Sequence, residues 1–151
     1  MPASTTTTTT VVVSTTPRKA ICQISDNTNN IFGWFNLEEL QKASGVNGVR
    51  IWGKVNGLTE NKKYGFHVHT NGVAAPKTSC ANSGGIYNPL SKKHGLTCDA
   101  ERMVGDLQML QTGALSGGIA TATYDNIDSQ ASLWGTNSIL GRSLVIMSQE
   151  D

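Results

Sequence analysis

Hydrophobic and polar residues alternate with a period of two along much of the chain. In residues 49–55, Val49, Ile51 and Val55 fall on one face, and charged or aromatic residues fall on the other. Such alternation is typical of a strand with one buried face. Strands separated by turns indicate an all-β sandwich or barrel. The pattern predicts no helix and seven strands, at residues 19–25, 31–38, 49–55, around 66–69, 102–110, 118–124 and 141–147.

The stretch YGFHVHTNG, residues 64–72, carries two histidines on either side of one valine. In a strand, residues i and i+2 point to the same face. His67 and His69 are therefore predicted to project side by side, with Phe66 and Val68 on the opposite face. Imidazole is the commonest metal ligand in proteins, so the pair is a candidate metal site. Two histidines without further donors are expected to bind copper or zinc only weakly.

The section from residue 70 to residue 101 is rich in Gly, Asn, Ser and Pro and shows no period. Loops of this length in a compact domain are usually functional or disordered. We expect something to order this section, and a bound metal would do so.

Length and charge exclude several classes of function. A chain of 151 residues suits one domain with an appendage. The net charge of +1 and the 15% content of charged residues predict no nucleic-acid partner. No apolar run approaches the length that crosses a membrane, so no membrane partner is predicted either.

Residues 1–18 form a Thr-rich tail that is distinct from a domain at residues 19–151. The tail lacks the basic start and the Leu-like core of a secretory signal, so a cytoplasmic location is expected rather than an extracellular one. Its low complexity predicts disorder. Because Thr and Val favour strands, a second hypothesis places the tail antiparallel to the first strand, where it would cover an open sheet edge.

The chain contains three cysteines, so at least one thiol has no partner within the molecule. Cys80 and Cys98 both lie in the 70–101 section, and the sequence leaves open whether they pair.

Five motifs occur in the order found in the Cu/Zn superoxide dismutases and resemble that family: VRIWGKVNGLTE, YGFHVH, SCANSGGIYNPLSKKHG, ERMVGD and ILGRSLVI. The resemblance runs over residues 19–151. It implies an eight-stranded Greek-key barrel that holds one copper and one zinc ion joined by a shared histidine. It also implies conversion of superoxide to oxygen and hydrogen peroxide through Cu(II)/Cu(I) cycling.

The resemblance implies copper ligands at His67 and His69, but not a complete copper site. Ile86 occupies the position of the shared histidine, and Met147 occupies that of the last copper histidine. Isoleucine has no donor atom, whereas a methionine thioether suits Cu(I). Two hypotheses follow. Either Ile86 and Met147 are apolar plugs, or Met147 joins the two histidines in a Cu(I) site.

For zinc, the resemblance implies ligands at His94 and Asp106, and Met103 stands where the family has a further zinc histidine. A structural zinc site takes about four nitrogen, sulfur or oxygen donors. Cys98, four residues after His94, could supply a thiolate. Otherwise His94 and Asp106 are expected to form a hydrogen bond that ties the loop to the strand predicted at residues 102–110.

Cys80 corresponds to the first disulfide cysteine of the family. The resemblance implies that its partner, an active-site arginine, an anion-steering charged loop and an eighth strand would follow Asp151. These features have no counterpart in this sequence. Family dimers use surfaces near the same regions, so a monomer or a non-standard dimer is expected.

The sequence therefore predicts a superoxide dismutase-like protein with degraded or no activity and at most weak copper binding through His67 and His69. One alternative is a working dismutase that uses copper alone and acts on superoxide. The other alternative is a metal-free interaction or structural module.

Overall fold

The computed structural model describes residues 16–42, 45–73 and 80–151. The hypotheses about residues 1–15 of the Thr-rich tail lie outside these residues. No helix in the described part of the chain is long and apolar enough to cross a membrane. The described residues form a short 3-10 turn at Ala81–Ser83 and eight strands: β1 (Lys19–Asp26), β2 (Ile31–Lys42), β3 (Gly45–Leu58), β4 (Lys63–Tyr64), β5 (Phe66–His69), β6 (Leu110–Gln111), β7 (Ala120–Asp128) and β8 (Ser143–Ile146).

Four long strands form one antiparallel sheet in the order β1-β2-β3-β7. On β3, the side chains of Val49, Ile51 and Val55 are fully buried, as the alternation predicts. The alternating side chains of a strand point to opposite faces, so one face of this sheet closes the core. Strands β1, β2 and β3 extend beyond the predicted ranges, whereas β7 begins two residues later and ends four residues later than predicted.

The opposite layer is built from two small sheets, β4-β6 and β5-β8, and from long loops. The layers meet at an aromatic cluster, where the ring of Phe66 lies 5.0 Å from that of Phe35 and 5.1 Å from that of Tyr124. Both layers contribute to one hydrophobic core. The prediction of an all-β sandwich is confirmed.

The predicted strand at residues 102–110 is wrong, since only Leu110 of that segment lies in a strand. The rest forms turns in which the Asp106 amide donates to the Met103 carbonyl over 3.1 Å and the Gly105 amide donates to the Tyr87 carbonyl over 2.9 Å. Most of the segment is buried, at its polar positions as well as at its apolar ones. Its backbone groups pair with turn and loop partners and, at Gly105 and Leu107, with β5, but they form no continuous ladder.

Candidate metal centre

The two histidines of the FHVH stretch lie on β5, in the middle of the loop-rich layer. On one side β5 pairs with β8, so that His67 lies opposite Val145. On the other side His67 forms a bridge with Asp106, and His69 forms one with Ile86. Both histidines are buried, and their ring centroids are 6.1 Å apart. The side-by-side placement follows the prediction from their i, i+2 spacing.

One ring nitrogen of His69 is held by the loop that follows the 3-10 turn. Nδ1 lies 2.8 Å from the Gly84 carbonyl oxygen and 3.1 Å from the Ser83 hydroxyl. Because a carbonyl can only accept, Nδ1 carries the ring proton and Nε2 carries a lone pair. Nε2 is buried and has no hydrogen-bond partner among the described residues.

Burial lowers the pKa of His69, the Gly84 hydrogen bond opposes that shift, and the neighbouring His67 adds to the lowering. The ring of His69 is therefore favoured in its neutral form, which is the form that binds metals.

His67 repeats this arrangement with the nitrogens exchanged. Its Nε2 lies 2.9 Å from Oδ1 and 3.0 Å from Oδ2 of Asp151, while its Nδ1 is buried without a partner in the described structure. The carboxylate accepts a hydrogen bond from Nε2–H, so the lone pair of the neutral ring is on Nδ1. Buried polar atoms without partners are rare and call for an explanation. The site thus contains two unpartnered imidazole lone pairs, each on a ring that is oriented through its other nitrogen.

The pair implied for zinc is satisfied without an ion. His94 Nδ1 lies 2.7 Å from Asp106 Oδ1. The other oxygen, Oδ2, accepts hydrogen bonds from the amides of Gly95 and Met103, each over 3.0 Å. Asp106 is buried, whereas the His94 side chain is 43% exposed. This network orders the end of the 70–101 section through direct hydrogen bonds.

The three positions that lack the family's histidines differ in their surroundings. Ile86 is half-buried beside β5, and Met103 is half-buried in the turn that Asp106 organises. Met147 follows β8 and is 42% exposed, on the wall of an open groove of about 830 Å³ between β1 and β8. Cys80 and Cys98 are exposed and unpaired by any disulfide in the described structure.

Asp151 is a site residue that sequence reasoning missed. Ligand atoms of Asp151, His67 and His94 all lie within 4.8 Å of one another, which makes this the one such cluster of three among the described residues. Cys98 is not part of it. No local motif marks Asp151, because it lies 84 residues from His67 along the chain.

A buried ion pair behind the site was also missed. Arg102 Nη2 lies 2.8 Å from Asp128 Oδ2, and both side chains are almost completely buried. Arg102 Nη1 also donates to the Asp106 carbonyl oxygen over 2.8 Å. The pair therefore ties the Asp106 turn to the end of β7. The arginine belongs to the ERMVGD motif, but its partner is distant in sequence.

Comparison with known proteins agrees with this geometry. Residues 31–151 match the model of a family described as copper/zinc superoxide dismutase. The chain belongs to this family. It is 38% identical over 133 residues to superoxide dismutase [Cu-Zn] 2 of Mesembryanthemum crystallinum, which covers 88% of this chain and 78% of that protein.

Other Cu/Zn superoxide dismutase relatives widen the comparison. The extracellular superoxide dismutase [Cu-Zn] of Brugia pahangi is 35% identical over 137 residues, which is 91% of this chain and 63% of that protein. Among solved structures, the clock protein EA4 superposes with a TM-score of 0.71 at 32% identity, over 91% of this chain and 79% of that one.

Proposed function

We propose that this member of the Cu/Zn superoxide dismutase family binds copper weakly through His67 Nδ1 and His69 Nε2 and has little or no dismutase activity. The observation that carries the proposal is the pair of buried ring nitrogens that have no hydrogen-bond partner among the described residues. The 6.1 Å between the two ring centroids is a spacing that one ion can bridge with metal–nitrogen bonds of about 2 Å.

The second part of the proposal rests on the residues at the other ligand positions. Bound copper supplies one-electron chemistry in this family, and the chain must present donors that suit both oxidation states. Ile86 brings no donor atom to its position beside His69. A thioether from Met147 would favour Cu(I) and oppose reoxidation. Two imidazoles are therefore expected to hold copper without supporting turnover.

The test is copper stoichiometry and dismutase activity measured on one sample of the full chain. We expect copper binding without activity, a loss of binding in His67→Ala and His69→Ala, and unchanged binding in the matched control His94→Asn. Substantial turnover that disappears in His67→Ala would favour the copper-only dismutase. Absence of bound copper would favour the metal-free interaction or structural module.

Zinc binding by His94, Asp106 and Cys98 is the weaker part of the metal assignment. The lone pairs of Asp106 that face His94, Gly95 and Met103 are already used in hydrogen bonds. A zinc ion at this position would have to displace the His94 contact and recruit the exposed Cys98 thiol. Zinc titration of Cys98→Ser tests the hypothesis, because unchanged affinity removes Cys98 from any zinc site.

The assembly and the compartment remain predictions. We propose a monomer or a non-standard dimer in the cytoplasm, and superoxide is the partner molecule only if the protein is active. Light scattering on the purified full chain gives the mass. Fractionation of the source cells gives the compartment, and recovery of the protein in the medium would contradict a cytoplasmic location.

A further inference from the structure

The hydroxyl of Ser83 is a second acceptor for the ring proton of His69. Its Oγ lies 3.1 Å from His69 Nδ1, while the carbonyl oxygen of Gly84 lies 2.8 Å from the same nitrogen. The same hydroxyl donates to the carbonyl oxygen of Cys80 over 2.6 Å. Because Ser83 is only 2% exposed, solvent water is kept away from both contacts. Ser83 therefore connects the backbone of the 3-10 turn directly to the imidazole ring.

The direction of these hydrogen bonds follows from what each group can donate. A serine hydroxyl has one proton, and here that proton is used on the carbonyl of Cys80, which can only accept. The oxygen of Ser83 can therefore only accept from His69, as the Gly84 carbonyl does. A deprotonated Nδ1 would face two oxygen atoms with no proton between them. The arrangement thus keeps the proton on Nδ1 and the lone pair of the neutral ring on Nε2.

We propose that Ser83 is a positioning residue for copper, which holds the ring of His69 so that Nε2 faces the ion. This inference rests on the proposed function, because the orientation of His69 affects copper only where Nε2 binds it. Nε2 is buried without a hydrogen-bond partner among the described residues, so its lone pair is open to a metal. Groups that hold the far nitrogen of a ligand histidine typically contribute about 10–100-fold to metal affinity.

Ser83 adds a restraint that the Gly84 carbonyl does not supply alone. Gly84 has φ +73° and ψ −160°, a backbone conformation that is open almost only to glycine and that sets the direction of its carbonyl. One acceptor leaves the ring of His69 able to tilt about a single hydrogen bond. Two acceptors at different positions around one N–H restrict that tilt.

Removal of the Ser83 hydroxyl leaves each of its partners with another hydrogen bond. His69 Nδ1 keeps the Gly84 carbonyl, and the Cys80 carbonyl keeps the backbone amide of Ser83, which donates to it over 3.0 Å. No buried polar atom loses its last partner in Ser83→Ala, so the variant is expected to fold. A change in copper binding then reports the contact with the ring.

The experiment is copper titration of the full-length, metal-free chain by competition with a chelator. We expect Ser83→Ala to weaken copper binding about tenfold, at the lower end of the usual range because Gly84 remains. Ser83→Thr keeps the hydroxyl and should retain the affinity of the parent. The matched control is Thr70→Val, which removes the 3.2 Å hydrogen bond from Thr70 Oγ1 to the Gly85 carbonyl in the same loop. Because this bond does not involve the ring of His69, the control should leave copper affinity unchanged.

Ring NMR of the metal-free chain tests the same contact without copper. The parent should show His69 with its proton on Nδ1, and this proton should exchange with water faster in Ser83→Ala but not in Thr70→Val. A proton on Nε2 in the parent, or an unchanged exchange rate in Ser83→Ala, would overturn the role of Ser83.

The copper titration separates this inference from the proposed function. Copper binding that is unchanged in Ser83→Ala, lost equally in Thr70→Val, or not retained in Ser83→Thr would overturn only the role of Ser83. A parent chain that binds no copper would overturn the proposed function and the copper role of Ser83 with it.

Discussion

Both the copper side and the zinc side of the site lack histidines that the family has, but their remaining ligand residues differ in how they are hydrogen-bonded. On the copper side, His67 and His69 each keep a buried nitrogen without a partner in the described structure. On the zinc side, His94 and Asp106 bond directly to each other. The difference follows from chemistry: an imidazole and a carboxylate can share a proton, but two imidazole lone pairs cannot satisfy each other. Residues of an incomplete metal site can satisfy each other by hydrogen bonding only where a donor faces an acceptor.

The largest effect is expected from breaking the support of the zinc side. Arg102→Met leaves Asp128 buried without its cation and removes the bond to the Asp106 carbonyl. We expect a loss of about 3–5 kcal/mol in the free energy of unfolding, measured by urea denaturation. Arg50→Met is the matched control, because the Arg50–Asp125 pair is exposed to solvent and is expected to contribute little to stability. Equal losses of stability in both variants would contradict the role of the buried Arg102–Asp128 pair in supporting the zinc side.

Bound copper should stabilise the fold, and this stabilisation should depend on the unpartnered nitrogens of His67 and His69. Copper at a hundredfold excess over its dissociation constant is expected to raise the free energy of unfolding by about 2.7 kcal/mol. The shift in melting temperature should vanish in His69→Ala and persist in Asp106→Asn. A shift that survives in His69→Ala would place the copper elsewhere.

The hydrogen-bond network on the zinc side should stabilise the fold less when the Asp106 carboxylate loses its charge. In Asp106→Asn the amides of Gly95 and Met103 and the ring of His94 face a neutral partner. Since hydrogen bonds to charged groups contribute about 1.5–3 kcal/mol, we expect a loss of about 2 kcal/mol by urea denaturation, without added metal. Asp99→Asn is the control, since Asp99 is exposed and its carboxylate accepts from the Leu96 amide. If Asp106→Asn lowers stability only when zinc is present, the hydrogen bonds of Asp106 do not stabilise the fold without a metal.

The smallest effect is expected from restoring a metal ligand on the copper side. Ile86→His places an imidazole opposite His69, where a third ligand is missing. We expect copper affinity to rise about tenfold, or 1.4 kcal/mol, measured by competition with a chelator. Ile86→Leu, which adds no donor, should leave the affinity unchanged. An unchanged affinity in Ile86→His would show that this side chain does not reach the two histidines' metal.

Local patterns in the sequence were enough for the sheet and for the histidine pair. The alternation around Val49 and Ile51 marks the buried face of β3, because side-chain direction in a strand depends only on spacing. The same spacing places His67 beside His69. The hydrophobic pattern was misleading at residues 102–110, where the carboxylate of Asp106 organises turns instead of a strand.

Only the tertiary structure decided which nitrogens are free and which are bound. Gly84 supports one ring of the pair from 15 residues away, and Asp151 supports the other from 84 residues away. The buried partnership of Arg102 with Asp128 is equally non-local. Such contacts depend on how loops pack over a finished sheet, and no short-range periodicity encodes them. The residue types of the site can therefore be predicted from the sequence. Which of their polar atoms have hydrogen-bond partners is decided by the tertiary structure.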